Sequence, residues 1–172
     1  MKHFISRRNF LKAAGVTAAA SAMAAAVPQA SAGFLTGKDA AVTILYTNDV
    51  HTYIDNKSPK LTYAAIAAMK QGYVDEGKPV LLVDAGDHIQ GTAYGSMDNG
   101  ATIIELMNEA GYDIATLGNH EFDYGMARAK AIIKEADFPY VSCNWVDLRT
   151  GLRVLPAVKL FPAGGKWIRS LG

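Results

Sequence analysis

The 172-residue sequence predicts an α/β fold made of βαβ units around a largely parallel, buried sheet. Two patterns predict it. Short β-branched apolar runs alternate with stretches of helical apolar spacing, and the polar, Gly-containing segments fall between them. Composition agrees: 50% of residues are hydrophobic and 19% charged, which excludes a disordered chain.

Taken in chain order, residues 1–32 read as an address and not as part of the fold. Lys2, Arg7, Arg8 and Lys12 form a basic region without any acid, an Ala-rich apolar stretch runs from Ala13 to Val27, and Ala30-Ser31-Ala32 suits a signal peptidase. Paired arginines before a mildly apolar core resemble a twin-arginine export signal, which predicts passage through the export machinery to the periplasm or the extracellular space. The core is too Ala-rich to span a bilayer stably. Residues 33–41 read as a linker and 42–172 as the folded part. Outside the leader the remaining 140 residues carry 13 basic and 16 acidic side chains, which excludes a basic, duplex-binding nucleic-acid domain. The single cysteine, Cys143, excludes an intrachain disulfide and any zinc site with several cysteines.

Val42 to Thr47 is the first strand run, and Val80 to Val83, Ile114 to Leu117 and Tyr140 to Cys143 are the next three. Helices are predicted over Leu61 to Gln71, Thr102 to Ala110 and Met126 to Ala136; Ile103, Leu106, Met107 and Ala110 illustrate the spacing. A turn at Asp147 to Gly151 precedes an extended segment from Leu152 to Phe161. Ala163-Gly164-Gly165-Lys166 has the composition of a hairpin turn, but Trp167 to Gly172 lacks the apolar β-run expected after it. Cys143 is expected to be an inert core thiol, and Trp145 and Trp167 to pack.

The chemistry lies in the polar clusters at the ends of the strand runs. The first run leads into Asn48-Asp49-Val50-His51, the second into Asp84-Ala85-Gly86-Asp87-His88, and the third into Gly118-Asn119-His120-Glu121-Phe122-Asp123. Ligands in open α/β sheets bind beyond the carboxyl ends of the strands, so these clusters are expected to converge. Their carboxylates, imidazoles and amide carbonyl suit divalent cations. Taken singly, each residue has an ordinary use: Asp49 and Asp87 as helix caps, His51 as a loop histidine, Asn119 as a turn residue at positive φ, His120 as a structural histidine. Asp84 is expected to hydrogen-bond behind the site, Glu121 and Phe122 to support their loop, and His88 to be a loop residue.

Asp49-Val50-His51, Gly86-Asp87 and Gly118-Asn119-His120-Glu121, in this order and each at a strand end, resemble the calcineurin-like metallophosphoesterases, and among them the exported 5′-nucleotidase group. The resemblance covers about residues 42–166. It implies a layered sheet fold of which this chain holds the N-terminal half of a four-layer αββα domain. It implies two divalent ions, zinc, manganese or iron: Asp49 and His51 on one, Asp87 bridging both, Asn119 on the second. His120 would help the leaving oxygen depart and Asp123 would orient that imidazole. The reaction implied is hydrolysis of phosphate esters, most of all nucleotides, by a hydroxide held between the metals. The family's later loops supply two more histidine ligands, whereas here no histidine comes after His120. The expectation is therefore a truncated gene product with an incomplete site. Its alternative function is a non-catalytic remnant that only binds metal or phosphate, or a subunit completed by a second chain.

Overall fold

The computed structural model describes residues 41–54 and 62–172. The leader and most of the linker lie outside the described residues. Strand β1 (Thr43–Thr47) is followed by helix α1 (Tyr63–Asp75) and strand β2 (Val80–Asp84), then by a single-turn helix α2 (Ala93–Ser96), helix α3 (Ala101–Ala110) and the short strand β3 (Ile114–Ala115). A 3₁₀ turn (His120–Phe122), helix α4 (Met126–Glu135) and the strands β4 (Val158–Ala163) and β5 (Lys166–Leu171) complete the chain. Among the described residues no helix is long and apolar enough to cross a membrane.

β1, β2 and β3 form a parallel sheet in that order, as the alternating pattern predicts. Thr47 pairs with Asp84, and Asp84 with Ala115, so all three strands end at one edge. The sheet separates two apolar clusters because successive side chains point to opposite faces. On one face Leu82 and Ala115 pack with Tyr63 and Ile66 of α1, Ile103, Ile104 and Met107 of α3, and Ile132 of α4. On the other, Leu81 and Ile114 pack with Val141 and with Phe161 and Ile168 of the β4–β5 hairpin.

Local chemistry sets the helix ends. Thr62 Oγ1 accepts the Ala65 N–H at 3.2 Å and caps α1. Lys70 on α1 donates to Asp113 Oδ2 at 2.7 Å, and the same oxygen accepts the Leu82 N–H at 2.7 Å, which ties helix to sheet. On α4, Arg128 grips Glu135 with two bonds of 2.6 and 2.7 Å.

Several expectations change. The third run pairs only over Ile114–Ala115, although Thr116 still donates to Asp84 O at 3.0 Å. The fourth run meets the sheet through one parallel bridge, Ala115 with Tyr140. Asp147 does organise a turn, accepting backbone N–H groups from Arg149, Thr150 and Gly151, but the strand after it begins only at Val158. Residues 166–171, expected to fail as a strand, form β5, antiparallel to β4 across the Gly164-Gly165 turn. Its alternation of Trp167, Ile168, Arg169 and Ser170 suits a strand with one face toward water, and Ile168 faces the apolar cluster. Consequently Trp167 is exposed and does not pack. Cys143 is exposed as well, at a bend beyond the single sheet bridge at Tyr140. The hairpin covers part of the sheet's second face, while Ile44 and Tyr46 on the edge strand β1 remain open to solvent.

Leu82 is fully buried at the junction of sheet and helices. Leu82→Ala is expected to cost about 2–5 kcal/mol in urea unfolding, whereas Ile44→Thr on the open edge should stay within about 0.5 kcal/mol.

Candidate metal centre

Because Thr47, Asp84 and Ala115 stand side by side, the segments beyond them leave the sheet together. Two glycines bring the segments into contact. Gly86 holds φ at 103°, and a Cβ there would strike the backbone of Gly118; a Cβ on Gly118 would overlap the Asp87 carboxylate. Asp49, His51 and Asp87 all take positive φ, of 52°, 46° and 59°. Such conformations are costly for side-chain-bearing residues and persist where neighbours over-determine them. Here Asp49 N–H donates to Gly86 O at 3.1 Å and His51 N–H to Asp87 O at 2.9 Å.

The result is a trio. One ligand atom from each of His51, Asp87 and His120 lies within 4.8 Å of the others, and among the described residues no other such His, Cys, Asp or Glu group forms. The two imidazoles meet edge to face with centroids 5.0 Å apart. Each is oriented through Nδ1. His51 Nδ1 bonds the Gln90 carbonyl at 3.0 Å, and His120 Nδ1 bonds Asp123 Oδ2 at 2.7 Å, so both rings leave Nε2 for a cation or a substrate. Asp49 stands outside the trio, with Oδ1 3.7 Å from His51 Nε2 and its other oxygen bonded to the Asn48 amide. Asn119 occupies the turn between Gly118 and His120, in right-handed helical geometry and not at positive φ. His120, read from the sequence as a catalytic group, sits among the candidate ligand atoms.

A buried polar layer lies behind the trio. Asp84 accepts from Thr47 Oγ1 at 2.6 Å and from Gly86 N–H at 2.9 Å. His88 lies in the loop after β2, as expected, but its side chain is fully buried between Asp84 Oδ1 and the Tyr140 hydroxyl, each 2.8 Å from a ring nitrogen. Burial disfavours its cation, but the charges of Asp84 and Glu121 and the Asp84 hydrogen bond outweigh that and raise its pKa. Burial likewise keeps Tyr140 protonated. The His88–Tyr140 link joins residues 52 apart, and no local pattern signals it. Glu121 is buried and bonds backbone N–H groups, as expected of a supporting residue, and Phe122 packs edge-on against Trp145 at 5.1 Å.

Two imidazoles and a carboxylate at this spacing have the mixed N/O donor chemistry that one divalent transition-metal or zinc ion prefers. Comparison with known proteins agrees with that chemistry. The chain belongs to the calcineurin-like phosphoesterase family, whose sequence model matches residues 42–170. Residues 5–27 match the signal sequence of the twin-arginine translocation pathway, so the chain carries an export signal. It is 40% identical over 114 residues to a snake venom 5′-nucleotidase of Gloydius brevicauda, covering 60% of this chain and 19% of that protein. It is 37% identical over 115 residues to a 5′-nucleotidase of Homo sapiens, covering 60% and 20%. The crystal structure of a 5′-nucleotidase precursor from Thermus thermophilus superposes with a TM-score of 0.67 at 29% identity, covering 76% of this chain and 28% of that one. The matches thus span about a fifth of the length of these curated relatives.

The His120–Asp123 hydrogen bond raises the His120 pKa above its ordinary 6.5, with the charges of Asp123, Asp87 and Glu121 adding to it against a smaller desolvation effect. The stabilisation linked to this group is present below pH 6.5 and fades as pH rises through the raised value. In metal-free protein, Asp123→Asn should move the His120 titration back toward 6.5, followed by imidazole proton shifts in NMR.

Proposed function

We propose that this chain is the nucleotide-hydrolysing part of an exported, metal-dependent phosphoesterase of the 5′-nucleotidase kind. The observation that carries the reading is the convergence of His51, Asp87 and His120 from three separate strand ends. The family membership and the 5′-nucleotidase relatives supply the substrate class, a phosphate monoester of a nucleoside.

In this reading Asp49, His51, Asp87 and Asn119 would hold the divalent ions, with the Asp87 carboxylate shared between them. Zinc, manganese and iron all suit these donors. When bound, such ions supply Lewis acidity toward the phosphoryl oxygens and lower the pKa of water toward about 7. The chain's own groups do the rest. Asp87 supplies the trio's negative charge, which would balance bound cations. His51, fixed by the Gln90 carbonyl, presents Nε2 without having to reorganise. His120, oriented by Asp123, which also raises its pKa, would donate its Nε2 proton to the departing ester oxygen. The ring is already oriented, so little rotational entropy is lost when substrate arrives.

A second reading is favoured by the ligand count. One trio among the described residues suffices to bind a cation, and with it phosphate, without turnover. Purified chain with manganese and either an aryl phosphate or a nucleoside monophosphate separates the two. The first reading expects phosphate release that falls about 10²–10⁴-fold in His120→Asn and at least as far in Asp87→Asn. Manganese binding in calorimetry without release of phosphate would establish the second.

A further inference from the structure

We infer that Glu121 is the positioning residue of this centre: its buried carboxylate clamps the Gly86–Ile89 segment to the Gly118–His120 turn and so sets the spacing of Asp87 and His120. Glu121 has no solvent exposure, and an unpaired carboxylate there would be strongly unfavourable. Four backbone N–H groups bond it, and the His88 ring lies beside it, with Nδ1 3.5 Å from Oε1. Oε2 accepts the Asp87 N–H at 2.8 Å and the Gly118 N–H at 2.6 Å, and thus bridges the two segments through one atom. Oε1 accepts the His88 N–H at 2.8 Å and the Ile89 N–H at 3.3 Å. Asp87 returns the bond, its Oδ1 accepting the His120 N–H at 2.8 Å. Backbone and side chain of Asp87 are therefore both tied to the turn that carries His120.

Regular sheet pairing does not reach these two segments. The β2–β3 ladder ends at Asp84 and Ala115, and among the described residues no backbone–backbone hydrogen bond joins residues 86–89 to residues 117–121. Asp87 holds a φ of 59° that the loop must enforce from outside. A glutamine in place of Glu121 would aim its NH₂ group at two of the four donors, whichever way the amide turns, and break at least one half of the clamp. Glu121 acts through Asp87 and His120 and need not touch substrate.

The inference rests on the proposed function only for what the centre holds, so two readouts test it in the full chain. Glu121→Gln is expected to weaken manganese binding about 10–100-fold in calorimetry. In metal-free protein it should also abolish the NMR cross-peak between the His51 and His120 ring protons. Asp113→Asn loosens the distant Lys70 and Leu82 contacts and serves as the control for general destabilisation; it should change neither readout. Parent-like affinity together with an intact cross-peak in folded Glu121→Gln overturns the inference, as does an equal loss of both in Asp113→Asn. Should Glu121→Gln not fold, Glu121→Asp decides the matter. It keeps the charge but withdraws the oxygens by one methylene, so both losses are expected in weaker form, and no change in either overturns the clamp. A parent chain that binds no manganese, yet loses the cross-peak in Glu121→Gln, would sink the metal reading and leave the positioning role standing.

Discussion

The alignment of Thr47, Asp84 and Ala115 along one edge of the parallel sheet is the constraint on which the rest of the chain depends. A parallel ladder delivers the carboxyl ends of its strands to the same side, whatever the sequence distance between them. The segment after β1 is thereby forced against the segment after β2, and that against the turn after β3. The three polar clusters have no alternative neighbours. Small residues at Gly86 and Gly118 then decide how closely the segments approach, and positive φ at Asp49, His51 and Asp87 decides which way the side chains leave the backbone.

Crowding so many acids and imidazoles at one edge is unfavourable, and the chain offsets the cost with backbone donors. Asp84 and Glu121 are both buried carboxylates; Asp84 accepts from the neighbouring strand's Thr47 hydroxyl and from the Gly86 N–H, and Glu121 from loop N–H groups that a regular ladder cannot reach. His88 and Tyr140 complete this layer, linking the second strand's loop to the fourth apolar run at the point where regular pairing has shrunk to one bridge. The front of the centre is built differently. His51 and His120 each commit Nδ1 to an orienting partner. The contrast between a satisfied rear layer and an open front is the arrangement that pre-organises charge without filling the site.

The energetic support of the centre is uneven. Helices α1, α3 and α4 bury the face of the sheet that carries Leu82, and the β4–β5 hairpin shields the face that carries Leu81 and Ile114. The edge strand β1, which leads into Asp49 and His51, keeps Ile44 and Tyr46 exposed. Asp49 and His51 therefore depend more on hydrogen bonds to Gly86, Asp87 and Gln90 than on apolar packing.

The sequence alone determined the parallel α/β class, the three long helices to within a few residues and the export leader, because these rest on local periodicity and on short motifs; it also marked the three polar clusters from which His51, Asp87 and His120 come together. Asp84 and Glu121 were also legible as supports, since acids at the mouth of an apolar strand must find partners. Only the tertiary structure decided the rest. His88 is buried because Tyr140 and Asp84 close around it; Cys143 is exposed because it sits at a bend beyond the single bridge at Tyr140; and residues 166–171 pair because β4 lies beside them, although the apolar signal is weak. Which imidazole nitrogen faces the centre, and which carbonyl or carboxylate holds the other, likewise depends on residues as far as 39 apart. Hydrogen bonds between distant segments carry no periodicity, so a linear reading has no handle on them, whereas burial and backbone geometry settle them once the sheet has formed.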